Sequence, residues 1–264
     1  MLIASNLQST VRDLQRRKAR GRRGLALIEG VRLVEEALAA GIPFEGALVA
    51  PELTRTARGK ELVAELERHA IPVQEIGTRG FVQLADTDSP QGILAVIEPR
   101  RSTAADFVPR ADAVALVIDG VQDPGNVGTL IRTAHALGAA GTLVLRGTAD
   151  PTSPKALRAA MGATFRHPVV SLDDAGFIAW ARAHGVTLWA AAADGTPLAR
   201  ALAARDGRGT GPIAVIVGNE GAGIRPQLNA IAARRVAIPL ARGAESLNVA
   251  VAAGILLYEV TRDR

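Results

Sequence analysis

Three segments of this 264-residue chain set polar side chains at the mouths of helices or in glycine turns, where they could act on a ligand. In DGVQDPGNVGTLIR (119–132) an apolar run ends in a Pro/Gly turn and a helical pattern begins, with Asn126 and Arg132 six residues apart. Asn126 could simply cap that helix and Arg132 lie on its surface. Over an open helix N-terminus, however, an amide and a guanidinium could hold an anionic or hydroxyl-bearing substrate. In IVGNEGAGIR (216–225), Gly218, Gly221 and Gly223 let the backbone approach a ligand closely or take positive φ. Their order is not the dinucleotide fingerprint and no Lys follows, so neither a Rossmann pyrophosphate site nor a P-loop is supported. Glu220 in that turn suits a ligand with donors or positive charge. In the third segment, Ile238 to Tyr258, Ser246 is a natural N-cap for a helix that is apolar on nearly every face, and Ala250 with Gly254 would let another backbone come close. Capping by Ser246 leaves Asn248, an amide at the mouth of an apolar helix, without a structural reason.

Composition narrows the chemistry. With no Cys, and with His69, His135, His167 and His184 far apart in sequence, neither thiolate zinc sites nor HExxH spacing is present, and no metal is expected. The longest apolar run, Val249 to Leu257, is about half of the roughly 18 residues a bilayer span needs, so a soluble chain without a membrane partner is expected. Residues 1–24 lack an apolar signal core, which points to a cytoplasmic location. Those residues carry +6 of a net charge of +5, leaving −1 for the remainder. Leu7, Val11 and Leu14 fall at amphipathic helix spacing, and Arg12, Arg16, Arg17, Lys18, Arg20, Arg22 and Arg23 suit a phosphate backbone; a frayed, solvated terminus is the plainer alternative. One Tyr and two Trp provide few platforms for stacked bases.

The elements that must position these residues follow from periodicity. From Glu29 to Glu98, helices (Val31 to Ala40, Ala57 to Ala70) alternate with strands (Ala47 to Ala50, near Val73, Ile93 to Ile97), a small α/β unit. The stretch from Glu98 to Asp112 reads as a linker, placing a boundary near residue 105 between domains 1–105 and 106–264. Beyond it, strands at Ala113 to Ile118, Thr142 to Leu145, Val186 to Ala192, Ile213 to Val217 and Val236 to Ile238 are separated by helices, the pattern of a mainly parallel sheet covered on both faces. Such sheets bind ligands at the carboxyl ends of their strands, where the three polar segments lie.

NxGxxxR, GNEGxG and ESLNVAVA, in this order, resemble the three motifs of the SpoU (TrmH) family of S-adenosylmethionine-dependent RNA ribose 2'-O-methyltransferases in the SPOUT superfamily. LIEGVRLVEEALAAGI and DTDSPQGILAV resemble the ribosomal-protein-like substrate-binding domain found in the ribosomal RNA branch of that family. The resemblance implies an α/β fold whose C-terminal domain holds a deep trefoil knot, and a homodimer with an active site built across its interface. It implies S-adenosylmethionine as cofactor and RNA as partner, large-subunit ribosomal RNA before transfer RNA. Asn126, Arg132, Glu220, Ser246 and Asn248 then match the catalytic positions. Gly218, Ile238 and Leu247 match cofactor-lining backbone, with Asn219 and Gly223 in the same turn. Asn219 stands where Ser is frequent, and Ala160 replaces a frequent Ser. Arg158 and Arg166 are weaker candidates for the RNA surface. Since a guanidinium presents only donors, Arg132 reads first as an electrostatic clamp on the developing oxyanion and second as a base. A non-catalytic RNA-binding or ribosome assembly protein would be expected to have damaged motifs, whereas all five polar positions are present. A dehydrogenase or NTPase would need the phosphate loops absent here.

Overall fold

The computed structural model describes residues 4–204 and 211–262. The chain forms two compact units, Met1–Arg100 with Asp150–Arg166, and Arg101–Ala149 with His167–Arg264.

The first unit begins with helices α1 (Ala4–Leu14) and α2 (Arg17–Arg23), followed by β1 (Ala26–Glu29), α3 (Val31–Ala39), β2 (Phe44–Val49), α4 (Ala57–Arg68), β3 (Val73–Glu75), α5 (Thr78–Val82) and β4 (Ile93–Ile97). Its sheet runs β1-β4-β2-β3, antiparallel except between β2 and β3. The run ILAVI is apolar throughout because both faces of the sheet are covered. Ile93, Ala95 and Ile97 pack with Val34 of α3 and Leu66 of α4, while Leu94 and Val96 pack with Val11 and Leu14 of α1 and with Phe81. The apolar stripe of α1 is therefore buried against the sheet, so residues 7–23 are not the frayed, solvated segment of the plainer alternative. Strand β1 was not anticipated; its four residues are too short to show a period before the helical pattern resumes at Val31.

The second unit contains β5 (Val114–Asp119), α6 (Pro124–Ala136) and β6 (Gly141–Leu145). After α7 (Pro154–Ala160), which belongs to the first unit, come β7 (Val169–Leu172), α8 (Asp174–Ala183), β8 (Thr187–Pro197), α9 (Leu198–Ala203), β9 (Ile213–Gly218), α10 (Pro226–Ile231), β10 (Arg234–Ala237) and α11 (Val249–Thr261). The six strands are parallel in the order β10-β8-β9-β5-β6-β7. Phe177 and Trp180 of α8 bury one face of this sheet, while α6 packs on β5 and β6 and α11 on β5 and β9. Strand β7 escaped the sequence reading because its apolar signal is only a few residues long and partly exposed.

The first break between the units falls between Arg100 and Arg101, close to the expected residue 105, but the linker reading and the second domain's extent are corrected. Phe107, read as linker, is 4% exposed; its ring stacks on Trp180 at 5.3 Å and its carbonyl accepts from the indole Nε1 at 2.9 Å. Gly141 makes room for that ring, since a Cβ there would lie 2.9 Å from it. Residues 150–166, expected in the second domain, complete the first unit instead. Leu157 and Phe165 enter its core, and Asp150 pairs with Arg20.

Candidate active site

The second unit brings the three polar segments together at the carboxyl ends of its strands. Asp119 ends β5 in register with Gly218 at the end of β9, so the turns after both strands emerge side by side. Asp123, not Asn126, caps α6: its carboxylate accepts from the Asn126 backbone N–H at 2.9 Å, and Pro124 occupies the first turn, where a missing N–H costs nothing. The Asn126 side chain is thereby released. Its Nδ2 donates to Glu220 Oε1 at 2.9 Å, and its Oδ1 accepts from Asn248 Nδ2 at 3.1 Å. One amide thus joins all three segments.

Asn248 also corrects the expected cap of α11. Its Oδ1 accepts from the Ala250 and Val251 backbone N–H groups, and the helix begins at Val249. Ser246 lies two residues upstream in an exposed loop. There it borders a cleft of about 170 Å³ whose walls include Val236, Ile238, Leu240 and Leu247. Gly254 of α11 faces α6, where a Cβ would touch Thr133 at 3.4 Å, so the close approach expected at this glycine is made to α6.

The glycine-rich turn is closed by its own atoms. Asn219 and Gly223 exchange backbone hydrogen bonds, and a Cβ at Gly218 would lie 2.3 Å from the Gly223 carbonyl carbon. Asn219 Oδ1 accepts from the Gly221 and Ala222 N–H groups, and its Nδ2 donates to the Gly120 carbonyl at 3.0 Å. Gly218, Asn219 and Gly223, expected to meet the cofactor, have clear structural roles in this turn and are absent from the lining of the cleft, whereas Ile238 and Leu247 line it. Arg132 is exposed on α6 and makes no ion pair or hydrogen bond among the described residues. It lies six residues beyond Asn126, about 9 Å along the helix and roughly 120° around it.

Sequence reasoning missed Asp119 and Arg225. The buried Asp119 carboxylate accepts from Arg225 Nε at 2.6 Å and from its backbone N–H at 2.8 Å. The outer edge of the same guanidinium grips Asp174 through Nη1 and Nη2 at 2.8 and 2.7 Å. Hydrogen bonding from Arg225 holds the Asp174 carboxyl below its ordinary range, against the opposing effect of burial. The sequence offered only an Arg after a glycine turn, with no sign of its partners.

With this geometry established, similarity to known proteins becomes informative. Residues 113–258 match the SpoU rRNA Methylase family, and residues 9–95 match the MRM3-like substrate binding domain. The chain belongs to the SpoU rRNA methylase family. It is 36% identical to the 23S rRNA (guanosine(2553)-2'-O)-methyltransferase RlmP of Bacillus subtilis, over 98% of both chains. It is 31% identical to the 23S rRNA (uridine(2479)-2'-O)-methyltransferase of Streptomyces viridochromogenes, over 95% of this chain and 87% of that one. The AdoMet-bound rRNA methyltransferase from Sinorhizobium meliloti superposes with a TM-score of 0.83 at 31% identity, covering 97% of this chain and 94% of that one. Within this SpoU-family chain, the cleft beside Leu247 is walled mainly by apolar side chains, and the exposed 239–247 segment around it makes one internal backbone hydrogen bond among the described residues, from Ala244 N–H to the Ala241 carbonyl.

The basic N-terminal residues divide in the first unit. Arg12, Arg16, Arg17, Lys18 and Arg22 are exposed, and Arg23 is exposed but pairs with Asp13 at 2.9 Å. Arg20 is a correction to the expected RNA set. It is 5% exposed, its Nη1 donates to the Leu14 and Gln15 carbonyls, and its Nε and Nη2 bind Asp150. Burial disfavours the charged form of Asp150, but hydrogen bonds from Thr152 and Arg20 prevail and hold its carboxyl below the usual value. Arg158 and Arg166 are also engaged within the unit, with Asp86 and Glu36.

Proposed function

We propose that this protein transfers the methyl group of S-adenosylmethionine to a ribose 2'-hydroxyl of RNA, with large-subunit ribosomal RNA as the substrate. The single observation that carries the reading is the side-chain path Asn248–Asn126–Glu220, which links the three segments into one polar cluster at the carboxyl edge of the sheet. Two curated relatives that cover nearly the whole chain are named as 23S rRNA 2'-O-methyltransferases, which supports the substrate.

When bound, S-adenosylmethionine supplies an activated methyl group for in-line displacement. The protein's part is to orient the acceptor ribose and to stabilise the oxygen as its proton passes to solvent. Ile238 and Leu247 would hold the purine, with Ser246 at the rim of the cleft. Glu220 fixes the rotamer of Asn126, whose amide with that of Asn248 would orient the ribose. Arg132 would stabilise the developing alkoxide and the adjacent phosphate. In the first unit, Arg12, Arg16, Arg17, Lys18 and Arg22 would meet RNA phosphates.

The same reading includes a homodimer and a C-terminal trefoil knot. Val251, Ile255 and Tyr258 form an exposed stripe at i, i+4, i+7 on α11, packed beside the helix that carries Arg132. A second copy covering that stripe could bring its Arg132 to the Asn126 cluster, from which the chain's own Arg132 is offset by about 9 Å along α6 and roughly 120° around it. For the knot, the support is the order β10-β8-β9-β5 followed by the return of α11 onto β5 and β9.

The test is transfer of labelled methyl from S-adenosylmethionine to bacterial RNA separated into large-subunit, small-subunit and transfer fractions and digested to nucleosides. The expected product is a 2'-O-methylnucleoside in the large-subunit fraction. Label confined to transfer RNA would overturn the substrate, and cofactor binding without label in any fraction would point to a non-catalytic RNA binder.

A further inference from the structure

We propose that Arg225, held between Asp119 and Asp174, is a positioning residue that sets Glu220 against Asn126; the inference rests on the methyltransferase reading for its kinetic consequence. The Glu220 turn leaves β9 at Gly218 and ends at Arg225, which caps α10. At its near end, Asn219 ties the turn to the Gly120 carbonyl. At its far end, Arg225 ties it to Asp119 through both backbone and side chain. Asp119 and Gly120 are consecutive residues at the end of β5, the strand that leads into Asn126. Both ends of the Glu220 turn therefore hang from the strand that delivers its hydrogen-bond partner.

The charge arrangement makes Arg the residue suited to this place. Asp119 is fully buried, and a carboxylate without a cation there would be costly. Arg225 offers Nε to Asp119 and two parallel donors to Asp174 at the start of α8, so three elements meet on one planar group. A Lys can neutralise one carboxylate but cannot bridge two with fixed geometry. Glu220 is exposed and receives only the Asn126 amide among the described residues, so its position depends on the backbone that carries it. Displacement of such a turn by about 1 Å is enough to cost on the order of 100-fold in rate.

The experiment combines Arg225→Lys, Asp174→Asn and Arg225→Met with Glu220→Ala. Arg225→Met leaves Asp119 without its cation and could fail to fold, so the first two variants keep the test decisive. The first readout is the Asn126 side-chain amide resonance, recorded without RNA. In Arg225→Lys and Asp174→Asn it is expected to move toward its position in Glu220→Ala. The second is kinetic: kcat should fall about 10- to 100-fold with the RNA KM within about 3-fold, and Arg225→Lys should add no further loss in a Glu220→Ala background. An unmoved resonance, or losses that multiply in the double variant, would overturn the assignment. Wild-type protein that shows the resonance shifts among its variants but methylates no RNA would count against the enzymatic reading alone.

Discussion

Asn126 Nδ2 lies 2.9 Å from Glu220 Oε1 across 94 residues of sequence, and the same amide accepts from Asn248 through its oxygen. Each side chain is exposed or half-exposed, so apart from the Asn248 cap on α11 the cluster contributes little to folding and its orientation is available for chemistry. Glu220→Ala is expected to leave stability within about 0.5 kcal/mol while lowering methyl transfer strongly. Asn126→Asp is a second test, because it replaces the amide donor to Glu220 with a like charge. Methyl transfer is expected to fall at least as far as in Glu220→Ala, and activity near wild type would show that the two groups are not in contact during turnover.

Arg132 has no partner among the described residues, so its removal has no fold to disturb. Arg132→Ala is expected to abolish most methyl transfer while binding of S-adenosylhomocysteine, read by calorimetry, stays within a few fold. Arg132→Lys should rescue poorly, since an ammonium lacks the planar fork that can reach an alkoxide and a phosphate together. Activity within a few fold of wild type in Arg132→Ala, with RNA still bound, would remove the residue from the mechanism.

The basic terminus gives a paired prediction. Arg20→Ala breaks a buried pair with Asp150 and frees two backbone carbonyls, and is expected to cost roughly 3 kcal/mol in a urea titration. Arg16→Ala, Arg17→Ala and Arg22→Ala should leave that titration unchanged and weaken RNA binding. Each lost phosphate contact should flatten the log–log salt dependence by about 0.7 to 0.9. Equal effects of all four substitutions on stability, or none of the three exposed ones on the salt slope, would refute the division.

Periodicity made the alternating elements and the parallel sheet legible, because a strand covered on both faces reads as an unbroken apolar run. It could not show β1, which runs almost directly into the helical pattern at Val31, or β7, whose short apolar signal is partly exposed. The three polar segments were visible because amides and carboxylates at helix mouths are conspicuous. Which of them caps and which is free was not: Asp123 and Asn248 cap, while Asn126 and Ser246 do not, and all four are good cappers by residue type. Choosing among them requires knowing where the backbone turns. Arg20 and Arg225 were illegible for a related reason, since only long-range folding brings Asp150 and Asp119 to them.

The membership of residues 150–166 in the first unit predicts how the chain can be divided. A fragment ending at residue 105 lacks Leu157 and Phe165, which are 1% and 2% exposed in that unit's core, and the Asp150 partner of Arg20. Loss of two buried apolar side chains removes about 4 kcal/mol or more, a large part of an ordinary domain's stability. The fragment is expected to bind a hydrophobic dye and to unfold without a cooperative transition by circular dichroism. A sharp melt close to that of the full chain would show that the segment is dispensable.

His167 gives the second unit a source of acid sensitivity. It is 3% exposed and shares a 2.8 Å hydrogen bond with Thr142, and burial, assisted by the nearby His135, pushes its pKa down to about 4 from an ordinary 6.5. Between those values the unfolded chain binds the proton that the folded chain refuses, so stability falls as pH drops through that window and levels off below it. The linkage amounts to roughly 2 kcal/mol between pH 7 and pH 5. His167→Gln removes the titrating group, and its urea midpoint is expected to fall less steeply over the same interval, whatever its stability at pH 7. Parallel midpoint-against-pH curves for the two proteins would mean that another group carries the acid sensitivity.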